Sequence, residues 1–86
     1  MLLVVSFASI ANNLKMNKEY LQKFGKHLKK IRKEKGLKQD DFGCEGISRS
    51  MISLVEIART DITVTKLKII ADILGVKVKD LFDFEE

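Results

Sequence analysis

An all-α fold of five short helices is the architecture this sequence predicts, and three observations carry the prediction. At 86 residues the chain supports one domain with a modest core, burying roughly 60% of the surface its unfolded form exposes. It contains no proline and five glycines, so little interrupts helices and short turns join them. Its apolar residues recur at spacings of three and four through the longest segments. The balance of 45% hydrophobic and 33% charged residues belongs to a folded domain rather than a disordered segment.

Residues 1–16 read as an apolar extension or arm, and residues 17–86 as the folded domain. Leu2 to Ala11, LLVVSFASIA, lacks both helical and alternating polarity. It is too short for a membrane span, which needs about 20 residues, and it has no basic flank of the kind that opens a signal peptide. Two readings stand. Met16 is the natural start and the preceding residues are an upstream extension, or the segment is an arm that packs on a partner subunit. An exposed apolar strand of this length aggregates unless covered, which favours self-association for a translated arm.

Helix one is expected from about Lys18 to Lys35. Leu21, Phe24, Leu28 and Ile31 form its apolar stripe, with Tyr20 flanking it. Asn17 caps its start, Gly36 ends it, and Leu37 folds back as the apolar contact beyond the cap. Helix two is expected from Gln39 to about Cys44, with Asp40 and Asp41 in the first turn and Phe42 as core anchor. Gly43 is assigned to a close approach to helix three. Gly46 then makes a turn, Ile47 plugs the core, Ser48 caps helix three, and Ile52 and Val55 face inward with Met51 beside them. The stretch GISRSMISLVE, residues 46–56, leaves Arg49, Ser50 and Ser53 pointing outward and reads as the second half of a helix-turn-helix.

Thr63 is placed to cap helix four. Val64, Leu67, Ile70, Ala71 and Leu74 give that helix its apolar face, and Gly75 stops it. A fifth helix near Val78 to Phe82 closes the core through Leu81. Ile69, Ile73, Phe82 and Phe84 exceed what such a monomer buries and are assigned to a dimer surface. The alternative is that one or two of them complete the monomer core.

Charge and reactive side chains narrow the function. The formal net charge is +4. Lys18, Lys23, Lys26, Lys29, Lys30, Arg32, Lys33, Lys35 and Lys38 crowd one segment, while Asp80, Asp83, Glu85 and Glu86 make the end acidic. A basic front and an acidic tail suit a protein that meets a polyanion with one face. Cys44 is the single cysteine, so no intramolecular disulfide forms, and it reads as a small apolar residue near the turn. His27 is also alone, so a His/Cys metal site lacks ligands; it reads as a helix-surface residue or a phosphate contact. No cofactor is implied. Nucleophile–base pairs, carboxylate dyads and phosphate loops have no counterpart in the sequence, which makes an enzyme the least supported class.

From Phe24 to Phe82 the chain resembles the Xre-type, phage-repressor-like helix-turn-helix family. The resemblance runs through FGKHLKKIRKEKGLKQDDFG, GISRSMISLVE and ITVTKLKIIADILGVKVKDLF. It implies a compact repressor-like domain of five helices that binds operator DNA, mostly as a dimer. By resemblance, Gln39 hydrogen-bonds a DNA phosphate, and Ser48, Arg49, Ser50 and Leu54 face base edges in the major groove. Arg32 and Glu56 match a structural ion pair between helices one and three, and Arg59 a phosphate-contacting position. The chain departs from the pattern at Lys38, where a small capping residue is usual, and at Ala58, where a glycine commonly ends helix three. Ile62 stands where a proline is usual, and the interval from Gln39 to Gly46 is one residue shorter.

Physical argument supports the same surface. An arginine near a helix N-terminus can set its fork on O6 and N7 of guanine, a contact worth about 1–3 kcal/mol of discrimination. Ser50 can reach a base edge or phosphate, Ser53 a phosphate, and Leu54 a thymine methyl. The helix-one lysines and Arg59 add sequence-independent, salt-sensitive attraction. The expected protein is a cytoplasmic, nucleoid-associated transcriptional regulator, a homodimeric repressor or autoregulator on a near-palindromic double-stranded operator, with no membrane or small-molecule partner. Restriction–modification controllers and antitoxins share the resemblance. A protein-interaction module that binds no operator is the competing class.

Overall fold

The computed structural model describes residues 17–43 and 46–85; the readings of residues 1–16 as an arm and of Cys44 as a turn residue lie outside them. Helix α1 spans Lys18–Glu34, and Asn17 starts it by accepting the Tyr20 N–H at 3.0 Å. A four-residue 3-10 helix, η1, covers Gln39–Phe42. Helix α2 spans Arg49–Glu56, helix α3 spans Val64–Leu74, and a second 3-10 helix, η2, covers Val78–Phe82. The described residues are thus all-helical, but the second and fifth of the expected helices are 3-10 coils. A 3-10 helix rises about 2.0 Å per residue against about 1.5 Å in an α-helix.

The same two devices recur at the helix ends. Lys38 and Lys77 stand before η1 and η2 without a capping oxygen. Asp41 and Asp80, three residues on, supply the reciprocal half of a capping box by accepting the Lys38 and Lys77 N–H groups at 2.7 and 3.0 Å. The three described α-helices each close with the chain turning back through a left-handed residue. Leu37 donates to the Arg32 carbonyl, Arg59 to Leu54 and Val76 to Ala71, at 3.0, 2.8 and 3.0 Å. Glycine supplies that conformation at Gly36 and Gly75; after α2 it is Ala58, at φ +59°.

Phe24, Leu28, Phe42, Ile52, Ile70 and Leu81 form the centre of the core, each contributed by the stripe its element was expected to bury. Val64 departs from its assignment: at the first position of α3 it is 80% exposed. The surplus expected on the C-terminal side is also smaller than the sequence suggests. Ile69, Ile73, Phe82 and Phe84 are all half-buried against the core. The Phe82 ring lies 5.0 Å from Phe24, and Phe84 lies 5.3 Å from Tyr20. His27 is not a simple surface residue. Its ring sits 5.6 Å from Phe84, and Nε2 lies 2.9 Å from the Asp80 carbonyl oxygen. A carbonyl only accepts, so Nε2 carries the proton and ties α1 to η2.

Candidate nucleic-acid interface

The position of α2 is set by what lies beneath it. Gly25, inside α1, faces the last turn of α2 so closely that a Cβ there would stand 2.6 Å from both the Val55 and Glu56 carbonyl oxygens. The close approach assigned to Gly43 is therefore made by Gly25; a Cβ on Gly43 would meet only its own turn, at Asp40 O. One signal was present in the sequence, since an uncapped glycine inside a long helix costs helix propensity and needs a packing reason.

Beside that crossing, a buried cluster links three elements. Glu56 accepts Arg32 Nε at 2.7 Å on Oε2, and Arg32 Nη2 at 3.1 Å on Oε1. Gln39 Nε2 also donates to Oε1 at 3.0 Å, while Arg32 Nη1 reaches the Leu37 carbonyl at 2.9 Å. The carboxylate fixes the Gln39 amide with nitrogen inward, because it can only accept. Among the described residues no buried side-chain nitrogen or oxygen lacks a partner. Arg32 and Glu56 thus brace α1, the turn after it, η1 and α2 as a unit, and Gln39 joins them while keeping one N–H for an outside acceptor.

The outer side of α2 is open. Ser48 spends its hydroxyl on the Met51 N–H at 3.1 Å and so fixes where the helix begins. Gln39, Arg49, Ser50, Ser53 and Leu54 line one shallow groove between η1 and α2. Five of the residues singled out from sequence therefore share a single surface. Ser48 and Arg59 are exposed at opposite ends of α2 and do not line the groove. Ile57 extends the outward row of Ser50 and Leu54 by one more turn; Leu54 is 43% and Ile57 58% exposed. Sequence reasoning missed Ile57, and it also missed Asp40, whose Oδ1 lies 3.2 Å from Arg49 Nε.

The basic charge is spread more widely than one front. Lys23, Lys26 and Lys30 border a depression with His27, Phe84 and Glu85, so part of the α1 cation cluster neighbours the acidic end of the chain. Among the described residues no group of three or more His, Cys, Asp or Glu is placed to hold a metal. None of the described helices is long and apolar enough to cross a membrane. The groove offers a guanidinium, two hydroxyls and an apolar side chain from α2 and an amide from η1, contacts of the kind that a base edge and its flanking phosphates take.

A family model described as helix-turn-helix matches residues 28–81, from the second half of α1 into η2. No curated protein matches the chain.

Proposed function

Because this chain belongs to the Xre-type helix-turn-helix family, whose members are DNA-binding transcription regulators, we propose that it reads a specific double-stranded operator with α2 and represses transcription as a homodimer. The observation that carries this reading is the groove shared by Gln39, Arg49, Ser50, Ser53 and Leu54 on the outer side of the braced helix. Arg49 and Ser50 lie in its first turn, the part of a recognition helix that enters deepest. Arg49 reads guanine, Ser50 a base edge or phosphate, and Leu54 a thymine methyl. Gln39 through its remaining N–H, Ser53, and Arg59 beyond the helix contact phosphates and set the register. Ser48 caps the helix and, by the family resemblance, stands at a position that faces base edges.

A homodimer brings two recognition helices about 34 Å apart onto a near-palindrome. The half-buried Ile69, Ile73, Phe82 and Phe84 are the surface from which such a contact is drawn, with residues 1–16 as an arm beside the domain of residues 17–86. The test is selection of bound duplexes from a random library at near-physiological salt, with Arg49→Ala in parallel. A two-fold-symmetric motif that relaxes at one base per half-site in the variant supports the reading. Equal, weak binding of every duplex would instead support a protein-interaction module, with the basic helix as a solvated face.

A further inference from the structure

Asp40 carries a charge that a phosphate backbone repels, yet it stands beside the cation of the groove. Its Oδ1 lies 3.2 Å from Arg49 Nε, across the gap between η1 and α2. Folding does not explain it. Both side chains are largely exposed, and an ion pair that open contributes next to nothing to stability. Nor does η1 depend on it, since the carboxylate that accepts the Lys38 N–H is that of the neighbouring Asp41.

The explanation lies in which edge of the guanidinium is engaged. Arginine presents two paired edges, one formed by Nε with a terminal nitrogen and one by the two terminal nitrogens. With Asp40 Oδ1 on the Nε side, the second edge, the fork that matches guanine O6 and N7, has no ion-pair or hydrogen-bond partner among the described residues. An arginine at the start of a solvated helix otherwise samples many rotamers and meets phosphate oxygens as readily as base edges. Asp40 penalises the rotamers that swing toward phosphate, because there Arg49 leaves its partner and the carboxylate faces like charge. That is discrimination by repulsion as well as by attraction.

We infer that Asp40 is a positioning residue for base recognition, holding Arg49 with its terminal fork toward guanine at the expense of attraction to the DNA backbone. The inference rests on the proposed reading of α2 as a base-reading helix. It predicts that removing Asp40 strengthens binding to unrelated DNA and weakens the distinction between right and wrong bases.

The experiment uses the full chain and three duplexes: the selected operator, the same operator with 7-deazaguanine replacing the guanine that depends on Arg49, and a scrambled sequence. Replacing N7 by C–H removes that acceptor and keeps O6 and the Watson–Crick edge. The wild type is expected to prefer guanine by about tenfold. Asp40→Ala and Asp40→Asn should cut that preference to about twofold while binding scrambled DNA more tightly. Asp41→Asn removes the same charge from the same short helix and keeps a side-chain oxygen to accept the Lys38 N–H. It should raise scrambled binding and keep the preference for guanine. In an Arg49→Ala background, Asp40→Ala should no longer change the preference. If Asp40→Ala shifts all three duplexes by one common factor, the charge acts only at long range and the inference is overturned. A wild type that does not distinguish operator from scrambled DNA would overturn the base-reading function itself, and the inference with it.

Discussion

On its inner side α2 offers Glu56 to Arg32, with side chains 2% and 8% exposed; on its outer side it offers Arg49 to Asp40, with side chains 67% and 71% exposed. Both are guanidinium–carboxylate pairs that join α2 to another element, and the N···O distances are 2.7 and 3.2 Å. Burial makes them different devices. The inner carboxylate has no water to fall back on, so three donor groups surround it and each of its oxygens is used. The outer pair stands in water, so it adds little to stability and acts only by biasing where the Arg49 side chain points. One pair therefore holds the helix in place and the other stays available to a ligand. A recognition helix needs both: a fixed axis beneath and contact side chains oriented but unburied above.

Breaking the inner pair should give the largest effect in the molecule. Glu56→Ala leaves Arg32 charged and buried with no carboxylate, and it frees Gln39 as well. The expected loss is about 3–5 kcal/mol, read from urea unfolding, which for a domain this small is most of its stability. Asp40→Ala, the matching change outside, should cost at most about 1 kcal/mol. Similar losses in the two variants would show that burial does not separate the pairs. Replacing Arg32 and Glu56 together by Met and Leu sharpens the point, because an apolar pair of similar size restores packing without the charges. Recovery of most of the lost stability in that double variant is the expected outcome.

The second effect lies at the crossing beside that pair. Gly25→Ala gains about 1 kcal/mol of helix propensity but drives a methyl into two backbone oxygens that no side-chain rotation can move. Overpacking of this kind costs about 1–3 kcal/mol, so a net loss of stability is expected, with α2 displaced. Thermal unfolding gives the sign. A stabilised Gly25→Ala protein would mean that α1 and α2 separate easily, and the inner side of α2 would then be less rigid than its bonding implies.

How much of this was legible follows from the same contrast. Apolar periodicity places Leu21, Phe24, Leu28, Ile70 and Leu81 inward because burial of such side chains dominates the energy and repeats with the helix. Caps at Asn17, Ser48 and Thr63 were legible because a cap is a local bond, three residues long. A glycine inside a long helix signals a close contact at Gly25 but not its partner, since the oxygens it admits belong to residues 30 and 31 positions away. The link from His27 to Asp80 spans 53 positions and was missed for the same reason. Asp40 was read only as a helix-start charge, and its partner becomes visible once η1 and α2 are set side by side. Apolar spacing marks η1 and η2 as helical, but segments of four and five residues are too short for it to separate a 3-10 from an α-helical period.

The smallest effect is expected where α2 ends, and it tests how rigid that end is. Ala58 adopts φ +59°, a conformation that costs an L-residue about 1 kcal/mol relative to glycine. Gly36 and Gly75 end α1 and α3 in the same conformation, with open space where a methyl would go. Ala58 differs in being fully buried. Ala58→Gly therefore relieves strain but removes a buried methyl, worth about 0.8 kcal/mol, and loosens the unfolded chain by about 0.4–1 kcal/mol. The opposing contributions leave a change within about 1 kcal/mol of the wild type. A loss beyond about 2 kcal/mol would mean that the methyl is a packing element that holds the end of α2. A clear gain would mean that backbone strain outweighs the buried methyl there. The second outcome would be the more informative for function, because the strained residue lies between the exposed Ile57 and Arg59. With Arg59 in its proposed role as a phosphate contact, relaxing Ala58 is expected to give a shallower salt dependence of DNA binding in Ala58→Gly.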